Sequence, residues 1–291
     1  MIRRIHRIVD MDFIKRLMWK IQRKFPSLHL RSRFKGPSTR LWLGNVANRL
    51  GLALQSWGRS LILDLYPELA GEKYYSDLLR MHRAVNDELI RQRQNYPHFI
   101  YEQGYLYQAL HSVGIFGSRS TETRFMDYGL ADIIHAGDRI LDIGCNCGFM
   151  LVHTAYRTGC TGDGIDINPH MINIGKHVAE FLGLTDKINL YAERFQDFQP
   201  AEKYNVIFSF ASHWTDDEQL RPDFDEYMKQ IHSLLASGGM LVFESHTADI
   251  DNPEFDRQMD RQREWFDWQG SKLLYNRRRG LYIMQRKDKI V

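Results

Sequence analysis

Between residues 139 and 285, short apolar runs alternate with segments whose apolar positions recur every three to four residues. Arg139–Ile143, Gly162–Ile167, Ile188–Ala192, Tyr204–Phe210 and Met240–Glu244 read as strands. Tyr204–Phe210 is apolar almost throughout, as expected of a strand covered on both faces. Helices are expected over Phe149–Arg157, Pro169–Leu182, Pro222–Leu235 and Pro253–Phe266. Lys272–Tyr275 and Leu281–Gln285 flank Asn276-Arg277-Arg278-Arg279-Gly280 and read as a closing hairpin, which would set one antiparallel strand at the sheet's edge. The alternation predicts an α/β fold, a doubly wound, mainly parallel sheet with an antiparallel C-terminal strand.

Upstream the pattern changes. Phe13, Ile14, Leu17, Met18, Ile21 and Phe25 form one stripe of a helix over residues 11–25, with Lys15, Arg16, Lys20, Arg23 and Lys24 between them. Residues 72–95 read as a strongly polar helix, so the N-terminal extension is expected to be helical. Charge sharpens this division. The chain has 291 residues and a net charge of +3, yet residues 1–40 carry twelve Lys or Arg against Asp10 and Asp12. A +10 arm is thus joined to a −7 body. Such an arm suits an anionic membrane surface, where each basic residue contributes about 1 kcal/mol. Packing on the body or on a second subunit, and nucleic acid, are the competing readings.

Cys145, Cys147 and Cys160 are too few for a disulfide framework and lack zinc-finger spacing to any histidine. Charges interrupt every apolar run near the N-terminus, and no stretch of about 18 uncharged apolar residues occurs. The expected location is cytoplasmic, peripheral at the inner face of the membrane if the arm binds lipid.

The chemistry is expected in the turn after the first core strand, Leu141-Asp142-Ile143-Gly144-Cys145-Asn146-Cys147-Gly148-Phe149. A glycine-rich turn between strand and helix lets a ligand approach the backbone. The next strand ends in Asp166, placed to accept both hydroxyls of a ribose, with Ile167 and Asn168 after it. A dinucleotide fingerprint would need glycine at 146 and 149, where Asn146 and Phe149 stand. The remaining pattern, D-x-G-x-x-x-G, resembles the class I S-adenosylmethionine-dependent methyltransferases over roughly residues 120–291, closing hairpin included. Asn146 replaces that family's middle glycine and can adopt a left-handed conformation.

The resemblance implies a Rossmann-like fold and S-adenosyl-L-methionine as cofactor. Asp142, Gly144, Cys145, Asn146 and Gly148 would line the methionine and ribose portion. Asp166 would hold the ribose, with Ile167 beside it. Adenine would sit at Glu193-Arg194-Phe195. The family's common Asp is Arg194 here, so recognition of the adenine amino group falls to Glu193, Asp197 or backbone.

Farther upstream, Gly104-Tyr105-Leu106-Tyr107-Gln108 precedes Gly117-Ser118-Arg119-Ser120-Thr121-Glu122-Thr123-Arg124. This pair of elements resembles the methyltransferase domain of polymannose O-antigen chain terminators and related glycan-modifying enzymes. The resemblance implies that the segment folds over the cofactor, with Tyr107, Gln108 and Arg124 at its methionine end and Arg124 pairing the carboxylate. The tRNA wobble-uridine carboxymethyl transferases share a similar segment. The chain then divides into a basic helical extension, 1–95, and a methyltransferase domain, 96–291, with a lid over 96–125.

A sugar hydroxyl holds its proton at neutral pH, so methyl transfer to it calls for a base. His213 follows the fourth core strand, while Glu244 and His246 follow the fifth. An imidazole titrates near neutrality, which favours His213. Trp214 and Tyr105 are candidate sugar contacts, and no repeated ligand spacing supports a metal. The expected activity is O-methylation of a carbohydrate, such as a lipid-linked glycan at the membrane face. A tRNA-modifying methyl or carboxymethyl transferase and a non-catalytic cofactor-binding recruitment subunit are the rivals. Protein partners would be a second copy or a biosynthetic complex.

Overall fold

The computed structural model describes residues 72–95, 106–115, 117–214, 223–275 and 278–288. The basic helix expected at 11–25, Tyr105 and the hairpin tip at 276–277 lie outside the described residues.

The first described element is helix α1 (Glu72–Asn95). Its Leu78, Met81, Val85 and Leu89 are buried at helical spacing. They join the same core as the helices that cover one face of the main sheet. Two short parallel strands follow, β1 (Leu106–Ala109) and β2 (Gly117–Ser120). Helices α2 (Thr121–Asp127) and α3 (Leu130–Ile133) lead into the body, and Ser120 caps α2 by accepting the Thr123 N–H at 3.2 Å.

The body alternates β3 (Arg139–Ile143), α4 (Phe149–Thr158), β4 (Thr161–Asp166), α5 (Pro169–Phe181) and β5 (Ile188–Ala192). Then come β6 (Tyr204–Phe210), α6 (Phe224–Leu234), β7 (Leu235–Glu244), α7 (Pro253–Arg261), β8 (Phe266–Leu274) and β9 (Arg279–Arg286). The strands form one seven-stranded sheet in the order β5-β4-β3-β6-β7-β9-β8. β3 through β7 are parallel, whereas β9 runs antiparallel to both neighbours. The expected α/β architecture is therefore present, with one correction. The antiparallel strand is not at the edge but inserted between β7 and β8, because Val242 and Phe243 pair with Ile283 and Tyr282.

Alternate residues of the central strands feed two cores. Ile140, Val206 and Phe208 face one side, Leu141, Ile143 and Ile207 the other. The helix expected over 253–266 stops at Arg261, where Arg261 and Gln262 bond the Asp225 carboxylate (2.9 and 2.5 Å). Phe266 then enters the sheet opposite Arg286. The chain runs outward from β3 to β5 and returns to β6 on the other side of β3. That reversal opens a crevice at the carboxyl ends of β3 and β6, where ligands of such sheets bind. Among the described residues no helix is long and apolar enough to cross a membrane.

Candidate active site

The turn after β3 is built for close approach. Gly144, Asn146 and Gly148 all have positive φ, at 63°, 54° and 64°. At Gly144 a Cβ would come within 2.8 Å of the Ser212 Cβ, and at Gly148 within 2.8 Å of the Leu190 side chain. Asn146 tolerates its left-handed conformation and donates its N–H to Asp166 at 2.8 Å. The second oxygen of Asp166 accepts the Asn168 N–H at 2.9 Å. The carboxylate is thereby fixed beside the turn.

Gln108 braces this turn from outside. Its Nε2 donates to the Cys145 carbonyl and its Oε1 accepts the Phe149 N–H, both at 3.1 Å. The amide expected at the cofactor's methionine end thus clamps both ends of the glycine turn. Cys145 and Cys147 are buried, and burial raises the Cys145 thiol well above its ordinary range.

Asp142 lies under the turn, 2% exposed, and its Oδ2 has no hydrogen-bond partner among the described residues. Burial pushes its pKa up to about 7, the nearby Asp166 adds to the rise, and Arg124 opposes it. A buried carboxyl with an open acceptor suits a cationic ligand group.

At the adenine end, the Glu193 N–H donates to the Asp166 carbonyl at 3.0 Å, which brings Glu193 and Arg194 to the same edge. Ile167 is an exposed apolar residue beside Asp166. Phe195 is buried against the Tyr227 ring, 5.3 Å between centroids.

β6 ends in a short turn of Ser212, His213 and Trp214, in which Ser212 packs against Gly144. Ser212 shares a hydroxyl cluster with Ser209 and Tyr227 (2.8–3.0 Å), and burial pushes the Tyr227 phenol up to about 12. His213 packs against Phe243 and Phe224, 4.8 and 5.7 Å between centroids. Its Nε2 is 2.9 Å from Oδ2 of Asp249, whose Oδ1 accepts the Trp214 indole N–H at 2.6 Å. Burial pushes Asp249 up, but the bonds from His213 and Trp214 bring it below the ordinary carboxylate range. An ionised Asp249 only accepts, so Nε2 of His213 carries a proton. His246 lies over Trp214, 4.8 Å between ring centroids, and its Nδ1 accepts the Ala248 N–H at 3.2 Å.

Glu244 requires a correction. It is fully buried and bonded by Arg124 Nη2 (3.0 Å), Arg279 Nη1 (2.9 Å), Arg119 Nη1 (3.3 Å) and the Tyr128 hydroxyl. Burial raises its pKa, yet Arg124, Tyr128 and the other two guanidiniums bring it below the ordinary range. Such a carboxylate is too weak a base for a hydroxyl and anchors charge instead. Arg124, expected at the cofactor carboxylate, is committed to this anchor. Tyr107 lies at its margin, with the Arg119 guanidinium 5.5 Å from the ring centre.

Sequence reading missed Asp249, Arg119, Arg279 and Tyr128. Arg119 stands in the upstream motif without a role of its own, and Asp249 left a local trace as the third residue after His246 in a capping box. Among the described residues no group of three His, Cys, Asp or Glu could hold a metal ion.

Residues 134–283 match a family described as a methyltransferase domain, and the chain belongs to that family. It is 29% identical over 129 residues to the sterol 24-C-methyltransferase of Eremothecium gossypii, covering 43% of this chain and 33% of that one. It is 31% identical over 105 residues to malonyl-[acyl-carrier protein] O-methyltransferase 1 of Ilyobacter polytropus, 36% of each chain. The chain thus spans about a third of the length of these curated relatives. A solved S-adenosylmethionine-dependent methyltransferase from Thiobacillus denitrificans, in complex with S-adenosyl-L-homocysteine, is 15% identical. It covers 57% of this chain and 91% of that one, with a TM-score of 0.45.

A methyltransferase domain takes a methyl donor, and the resemblance in the sequence implies S-adenosyl-L-methionine. The residues fit it: the open oxygen of Asp142 suits the methionine ammonium, the glycines leave room for its chain, and Asp166 suits the ribose.

Proposed function

We propose that the chain transfers the methyl group of S-adenosylmethionine to an oxygen of a carbohydrate. When bound, the cofactor supplies a methyl group already activated by its sulfonium. The protein therefore has to align the acceptor and take its proton. The observation that carries the reading is Asp249, which orients the His213 imidazole and the Trp214 indole with one carboxylate. As the acceptor oxygen gains the methyl group, its proton passes to the His213 imidazole, and Asp249 stabilises the resulting imidazolium. Trp214 and His246 offer aromatic faces to the sugar ring. Arg124, bonded to Glu244, holds the upstream segment onto the end of β7.

The test is methyl transfer to sugars by wild type and His213→Ala, with S-adenosylhomocysteine affinity measured beside it. The reading expects retained affinity and collapsed transfer; equal transfer by the two proteins would refute it. The further proposal is that residues 11–25 bring the domain to an anionic membrane bearing a lipid-linked glycan. Flotation with anionic vesicles should be lost on deletion of residues 1–30, and undiminished flotation would refute that role.

A further inference from the structure

Near the end of β7 lies a cavity of about 450 Å³ whose walls include Arg119, Arg124, Arg278, Arg279, Thr247 and Tyr275. Four arginines therefore line one space. Among the described residues, Glu244, paired with three of the arginines, and Asp127 in the lining are the carboxylates beside them, which leaves two positive charges in surplus there. The Nε of Arg279 is buried with no acceptor among the described residues. A buried donor left unmatched is costly, so an acceptor entering the cavity is favoured there. The Arg119 guanidinium lies over the Tyr275 ring, 4.4 Å from its centre. A stacked guanidinium keeps its N–H edge in one plane, the geometry that receives a carboxylate or phosphate.

Position ties this cavity to methyl transfer. Glu244 is the last residue of β7, and its carbonyl accepts the Ala211 N–H at 2.8 Å. Ala211 immediately precedes Ser212, the residue packed against Gly144. The cavity thus opens at the same sheet edge as the glycine turn. Its volume falls in the range of small-molecule pockets and exceeds what a lone phosphate fills.

We propose that this cavity binds an oxyanion carried by the methyl acceptor, so that the acceptor is a phosphorylated or acidic sugar. The sugar rests on the carbohydrate reading above; the oxyanion rests on the arginines. The shared chemistry is a phosphate or carboxylate held by paired guanidiniums.

The test is calorimetric titration of the full chain, saturated with S-adenosylhomocysteine, with glucose 6-phosphate, glucuronate and glucose. At least one anionic sugar should bind about tenfold or more tightly than glucose. The tighter of the two identifies phosphate or carboxylate. Arg119→Gln and Arg278→Ala should each weaken that binding about tenfold while S-adenosylhomocysteine binds as before. Equal affinity for glucose, or unchanged anion binding in both variants, would overturn the proposal. Loss of S-adenosylhomocysteine binding in the variants would also overturn it, by assigning the cavity to the cofactor. Binding is read here without turnover. A failed titration removes the oxyanion pocket and leaves transfer to a neutral sugar standing, whereas anion binding without transfer to any sugar removes the carbohydrate reading.

Discussion

Asp249 accepts a hydrogen bond from Nε2 of His213 at 2.9 Å, across 36 residues of sequence, in a site where both side chains are buried. The bond sets a proton on Nε2 and orients the ring. His213→Ala should lower kcat about 10²–10⁴-fold, the usual contribution of a general base. Asp249→Asn keeps the shape but removes the charge that supports the imidazolium. Its pH–rate profile should therefore lose activity at a lower pH on the acid side than wild type. An unmoved acid limb would make Asp249 a purely structural partner.

Cofactor binding is expected to depend on pH through Asp142. Its folded pKa is raised to about 7, so the folded state holds a proton there that the unfolded state has released. This contribution to stability therefore declines as pH rises from the ordinary carboxylate range to about 7. A ligand ammonium beside Asp142 favours the ionised form, so S-adenosylhomocysteine affinity should increase between about pH 6 and 8 with release of a proton. Calorimetry in buffers of different ionisation enthalpy measures that proton. Asp142→Asn should abolish it, and an identical proton release in the variant would refute the assignment.

Removing the Glu244 charge strands three guanidiniums and the Tyr128 hydroxyl in a buried place. Glu244→Gln should cost about 3–5 kcal/mol of stability, as expected for half of a buried ion pair. Because the folded pKa is depressed, the wild-type contribution is present above the ordinary glutamate range and lost as pH falls through the folded value. Chemical denaturation at neutral and acidic pH should show the gap between wild type and variant closing on acidification. A constant gap would place the effect in packing.

The glycine turn separates space from conformation. Gly144→Ala meets Ser212 and a positive φ together, and should cost about 1–2 kcal/mol from the backbone alone. Asn146→Gly should leave cofactor affinity nearly unchanged, because Asn146 already occupies the left-handed region. Comparable losses in both variants would show that the Asn146 side chain itself binds.

These expectations divide along a physical line. The alternation of β3 to β7, the glycine turn and Asp166 were legible because each is set by neighbours within a few residues. Asn146 is an example: its tolerance of positive φ is intrinsic, and the backbone uses it. Arg124 and Glu244 are 120 residues apart, and only the arrangement of β7 beside the upstream helix brings them together. The same holds for Gln108, which reads as a ligand contact until the fold places it against Cys145 and Phe149. Position of the antiparallel strand was equally hidden, since a hairpin motif does not say which of its two strands meets the sheet.

The most direct test of methyl transfer to a sugar oxygen is to follow tritium from the methyl group of S-adenosylmethionine into fractionated cell extract. Wild type should place the label in carbohydrate as an O-methyl ether, and His213→Ala, still binding S-adenosylhomocysteine, should place almost none there. Label recovered in RNA or on nitrogen, or equal transfer by the His213 variant, would contradict the account.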